Sequence, residues 1–162
     1  MVPIMSSLLL GVVLIQGHKQ DPAQNLDFWV GKWVCEGESK GPDGKVQKTA
    51  GRNEITKILG GKVIQENFSG PNLKGKSFSV YDASAKVWRQ TWVDDSGGYI
   101  SLSGGPADGK FILSTEMKNG RVRRMVFHEI TNDGFIWDWE GSRDSGKTWR
   151  NLWHIRYSRD KK

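Results

Sequence analysis

Trp88, Gln90, Trp92 and Asp94 stand at alternate positions in this 162-residue chain. In an extended segment they share one face. Two large aromatics, an amide and a carboxylate are what a small-molecule pocket uses: apolar walls with a few polar groups that fix orientation. The four are therefore the candidate ligand-binding residues, for a small apolar or aromatic molecule. The same side chains could equally fill the inside of a small closed sheet. The sequence leaves both readings open.

Catalytic and metal chemistry are less well supplied. Of the three histidines, His18 lies near the N-terminus, while His128 and His154 stand on different segments, without the close Cys/His spacing of a metal site. No G-x-S-x-G, phosphate loop or H-E-x-x-H is present. Asp94-Asp95 falls in a turn and Asp138/Glu140 on a polar strand face, so both pairs read as solvated surface. Cys35 is the single cysteine, which excludes an intrachain disulfide. It shares a strand face with Trp33 and reads as a buried, inert thiol. No catalytic residue, metal ligand or cofactor is assigned. Non-catalytic binding is preferred to an enzyme of unrecognised type.

The elements that must position these residues are short strands. From Leu26 onward, apolar-aromatic runs alternate with turn signals such as Gly60-Gly61, Gly70-Pro71-Asn72, Asn119-Gly120 and Asn132-Asp133-Gly134. Such clusters supply the left-handed conformations that tight hairpins need. About ten candidate strands result, as in an all-β barrel or sandwich. In Phe135 to Glu140 the aromatics take one face, with Asp138 and Glu140 opposite. Trp149, Asn151, Trp153, Ile155 and Tyr157 repeat the pattern, with Arg150, His154 and Arg156 opposite. No helical period is sustained, and at most one helical turn precedes Phe28. Short connections make an antiparallel meander, and closure removes its exposed edges. The expected fold is all-β, a single closed antiparallel meander barrel over residues 26–162.

The N-terminus has another character. Ser6 to Ile15 form an apolar run too short to span a bilayer as a helix. Residues 1–17 read as a signal peptide cleaved after Gly17, and 18–25 as a linker. The mature protein is expected in the periplasm or outside the cell, without stable membrane insertion. Net charge is +6, but acidic residues are interspersed throughout. The excess reads as a solvated basic surface, not as a nucleic-acid interface.

Phe28-Trp29-Val30-Gly31-Lys32-Trp33 carries a Gly-x-Trp on the first strand that resembles the lipocalin signature. That resemblance implies Trp33 as the plug of one barrel end, with an arginine of the last strand over it; Arg150 and Arg156 are the candidates. Trp88-Arg89-Gln90-Thr91-Trp92-Val93-Asp94 and Ser96-Gly97-Gly98 follow in order. Over residues 26–158 the chain resembles exported bacterial lipocalin-like (calycin) proteins of unknown function. Ser142-Arg143-Asp144-Ser145-Gly146-Lys147-Thr148-Trp149 is similar to the Asp-box of sialidases. A single copy cannot build a propeller, so a structural hairpin is expected, with Asp144 accepting turn amides and Gly146 at positive φ. Some lipocalin-like barrels, the nitrobindins, bind haem through one late-strand histidine. That makes His154 an alternative haem ligand, although its alternation with Arg150 and Arg156 turns it outward. Carbohydrate stacking on exposed tryptophans is a further alternative.

Overall fold

The computed structural model describes residues 21–41 and 43–161. The expected signal peptide lies outside these residues. Ten strands follow two 3-10 turns at Pro22–Gln24 and Asp27–Trp29. They are β1 Gly31–Lys40, β2 Val46–Ile58, β3 Val63–Ser69, β4 Lys74–Asp82 and β5 Val87–Asp94. β6 Tyr99–Ala107, β7 Lys110–Ser114, β8 Val122–His128, β9 Gly134–Ser142 and β10 Arg150–Arg159 complete the set. Each strand pairs antiparallel with its sequence neighbours, and β10 returns to β1 to close the barrel. The expected closed meander is the observed fold.

Period-2 patterning is what drives it. β4 alternates buried Gly75, Ser77 and Ser79 with exposed Lys76, Phe78 and Val80. The strand directions then sort the loops into two groups. The N-terminal turns and the C-terminus gather at one end with the 58–63, 82–87, 107–110 and 128–134 connections. The other five connections surround the opposite end.

The first end is packed shut. Phe28, Phe111, Phe127 and Phe135 meet edge to face at 5.6–6.2 Å. Trp29 and Trp33 are almost completely buried there, and the Trp33 indole N–H donates to the Trp29 carbonyl at 2.7 Å. The arginine over Trp33 is neither Arg150 nor Arg156 but Arg159, its guanidinium 3.8 Å from the ring centroid. The pairing explains the correction, since Trp33 faces Arg159 across the β1–β10 seam. The same guanidinium donates to the carbonyls of Val30 (2.6 Å) and Asn132 (2.9 Å), tying the plug to two loops.

A second correction concerns β10. The register shifts between Asn151 and Trp153, which reverses the face of everything before the bulge. Trp153, Ile155 and Tyr157 point inward as expected. Asn151 instead points outward, where its amide donates to Asp138 at 2.6 Å. Trp149 leaves the inner set too and lies under the Arg124 guanidinium, 3.7 Å away. Arg124 also pairs with Glu140 at 2.6 Å. The turn itself behaves as expected: Asp144 accepts from the Thr148 backbone N–H (2.9 Å) and hydroxyl (2.6 Å), and Gly146 has φ of +82°.

Candidate functional site

The half of the barrel opposite the plug is hollow. A cavity of about 160 Å³ opens there, walled by Trp92, Trp137, Trp139, Trp153, Phe68, Leu73, Ile100, Leu102 and Met125. Trp29 and Glu66 are among its deeper residues, with Ile155 and Tyr157, and Asp94 stands near the rim. The lumen is therefore neither wholly filled nor wholly open. Large aromatics fill one end and line the other.

Four tryptophans shape the walls. The Trp137 and Trp139 planes lie 6° apart, with centroids 6.4 Å apart. Trp153 stands at 86° to Trp137 and 89° to Phe68, so the rings form a box with perpendicular sides. Two of them are held by indole hydrogen bonds. The Trp153 N–H donates to the Thr49 hydroxyl at 3.0 Å. Trp92 donates to Asp94 at 2.9 Å and lies across Gly75, where a Cβ would come within 2.1 Å of the ring. Gly75 is small because the indole occupies its side-chain space.

The four sequence candidates separate in depth. Trp92 and Asp94 line the cavity. Trp88 packs in the plug against Phe111 and donates its N–H to the Pro22 carbonyl at 3.1 Å, so it does not reach the hollow. Gln90 is buried behind the wall and donates to the Ser79 hydroxyl at 2.9 Å. All four share the inner face; their positions along β5 divide them.

A buried carboxyl group, Glu66, also lines the cavity, and the sequence reading passed over it. Its carboxylate accepts from the Asn53 amide (2.7 Å) and the Ser77 hydroxyl (2.5 Å). The same Asn53 amide lies 3.2 Å from the Tyr157 hydroxyl. Burial raises the Glu66 pKa to about 7, against the two hydrogen bonds that favour the carboxylate. Burial also pushes the Cys35 thiol up to about 12 and Tyr157 well above its ordinary range, so both stay neutral. The inert thiol expected at Cys35 is what the structure contains. Asp94 is the opposite case. The Ser96 hydroxyl, the Trp92 N–H and the Gly98 amide hold it down to about 2.

His154 lies on the outer wall in phase with Arg156, whereas the bulge before Trp153 puts Arg150 on the opposite face. Its Nδ1 meets Asp138 Oδ1 at 2.7 Å, and His128 Nε2 meets Asp138 Oδ2 at 2.8 Å. The two histidines are thus joined, not isolated. Asp138 is buried beneath them rather than solvated; burial raises its pKa, but the His128, His154 and Asn151 hydrogen bonds outweigh this and hold it low. Among the described residues no histidine lines the cavity, and His154 points away from it. None of the eight tryptophans is exposed, which removes the surface platform that carbohydrate stacking needs.

A closed ten-strand meander with a Gly-x-Trp plug beneath a last-strand arginine is a lipocalin-like barrel of the calycin kind. The chain belongs to the family described as a protein of unknown function, DUF1579, whose model matches residues 18–159. Among solved structures it is similar to the S-type phycobiliprotein lyase CPES from Guillardia theta. That match has a TM-score of 0.60 at 14% identity, covering 89% of this chain and 95% of the other. At that identity the likeness concerns the fold. No curated protein matches the sequence.

Proposed function

We propose that the barrel is a non-catalytic binder of a small, largely apolar or aromatic molecule, held in the cavity opposite the plug. One observation carries this reading: a hollow of about 160 Å³ walled by four tryptophans, with hydrogen-bonding groups at its base. Such a site removes apolar surface from water while a few polar atoms set the pose. Trp29 adds a buried indole N–H with no partner among the described residues. Titration with small aromatic compounds should change the intrinsic fluorescence, because four of the fluorophores form the walls. Trp92→Ala should weaken binding by about tenfold or more. It should cost less stability than the about 3–5 kcal/mol of a fully buried indole, because Trp92 is only half-buried. A large loss of melting temperature with no fluorescence response to any compound would leave a packed structural barrel.

Glu66 favours a second reading as an enzyme. A buried carboxyl with a pKa of about 7 can hold or release a proton near neutrality, as a general acid or base does. Turnover abolished by Glu66→Gln with binding retained would select it.

We place either activity in the periplasm or outside the cell, on the apolar run Ser6 to Ile15 and the polar residues after it. Mass spectrometry of the protein from the exported fraction should find a chain starting near His18. An intact Met1 terminus would refute this.

A further inference from the structure

The walls of the cavity have an unexpected charge composition. The chain as a whole is basic, with 24 Lys and Arg against 18 Asp and Glu. Yet among the described residues the cavity is lined by two carboxyl groups, Glu66 and Asp94, and by no Lys, Arg or His. Around them stand aromatic rings with perpendicular planes: Trp153 at 86° to Trp137 and 89° to Phe68. Ring faces carry the negative part of the aromatic quadrupole, and boxes of such rings hold organic ammonium groups.

Resting on the binding reading above, we propose that the cavity selects organic cations: a protonated amine or quaternary ammonium group on a small apolar or aromatic body. Desolvation decides the sign. An anion would enter next to two acidic groups with no Lys, Arg or His on the walls among the described residues, and the unpartnered Trp29 indole N–H could replace only part of its lost hydration. A cation exchanges water for ring faces and a carboxylate.

The two acids act differently. Asp94 is a fixed negative charge near the rim, saturated by the Ser96 hydroxyl and by the Ser96 and Gly98 amides, with the Trp92 N–H on its other oxygen. Glu66 is the adjustable one at the base. The groups packed around it are Asn53 on β2, Ser77 on β4, and the neutral Tyr157 and Cys35 on β10 and β1. Among the described residues no cation holds its carboxylate in the charged form, so an entering ammonium group would. The competing charge sits on the rim. Arg123 and Arg150 both face Gly141 in the strand register, and both are exposed and outside the cavity walls.

Three probes of similar shape and different charge separate the possibilities: 2-phenylethylamine, 2-phenylethanol and 3-phenylpropionate. Isothermal titration calorimetry at pH 6 should show the amine binding at least about tenfold more tightly than the alcohol, a difference of about 1.4 kcal/mol. The propionate should bind more weakly than either. Repeating the amine titration in buffers of different ionisation enthalpy should reveal protons released as Glu66 ionises, and Glu66→Gln should abolish that release. Asp94→Asn should shrink the preference of amine over alcohol. Equal binding of amine and alcohol would overturn the cation proposal and leave the apolar pocket intact. Tightest binding of the propionate would also overturn it and point to the rim arginines. Failure of all three probes would count against the pocket itself.

Discussion

Gly37→Ala should keep the barrel from closing. Gly37 lies on β1 opposite Ile155 of β10, in the seam that joins the first strand to the last. A Cβ there would sit 1.9 Å from the His154 carbonyl oxygen and 2.8 Å from the Ile155 Cα. Both are backbone atoms, so no rotamer change relieves the overlap, and β10 would have to move away. Its displacement would break seam hydrogen bonds and expose two unpaired edges, which invites aggregation. A loss of about 4 kcal/mol or more follows, in the exceptional range for one substitution and a large part of a typical domain's stability. Gly105→Ala is the control, since a Cβ there meets only Trp88 Cδ1, at 3.9 Å. Thermal unfolding followed by circular dichroism, with the soluble fraction on expression, compares the two. A Gly37→Ala protein that melts with the wild type would mean the seam is looser than its geometry indicates.

The same seam shows which parts of this fold are legible in the sequence. Strand number, antiparallel order and closure follow from short alternating runs and tight turns, because one apolar face must be buried and edges must be paired. Local faces are also readable wherever period 2 is unbroken, as in β5 and β9. The reading fails where long-range register decides. Nothing in Trp149 to Tyr157 announces the shift between Asn151 and Trp153, and one extra residue reverses every side chain before it. Arg159 escaped notice because its partner Trp33 is fixed only by the pairing of strands at opposite ends of the chain. His128, Asp138 and His154 meet for the same reason, through the β8–β9–β10 register.

The candidate site was legible in kind and only partly in membership. Trp92 and Asp94 line the hollow, whereas Trp88 and Gln90, on the same face, lie in packed interior. Alternation gives the face of a residue but not its height along the barrel axis, which depends on where the plug ends. Glu66 did leave a signal. It falls in phase with Ile64 and Phe68, two apolar residues of β3 that are buried with it. A carboxylate alternating with core residues is costly unless it is hydrogen-bonded, and Asn53 and Ser77 supply those bonds from neighbouring strands.

That burial makes Glu66→Gln the most informative substitution in the lumen. Folding raises the Glu66 pKa from 4.5 to about 7, so between those values the folded protein holds a proton that the unfolded chain has lost. Stability contributed by this group is then greatest at low pH and falls as pH rises through the window. The shift corresponds to a loss on the order of 3 kcal/mol by pH 8. Glutamine keeps the shape and stays neutral: its carbonyl can accept from Asn53, and its amide can donate to the Ser77 oxygen. The variant should match the wild type near pH 5 and exceed its stability at pH 8, as measured by denaturant midpoints at both values. Cys35 and Tyr157, the other titratable groups packed against Glu66, remain neutral throughout because both are raised, so the difference between the two proteins reports on Glu66. Parallel stability curves for variant and wild type would show that water or a counter-charge reaches the carboxylate in the folded state. In that event the base of the cavity is wetter than its packing implies, and Glu66 would carry its charge at neutral pH even without a ligand.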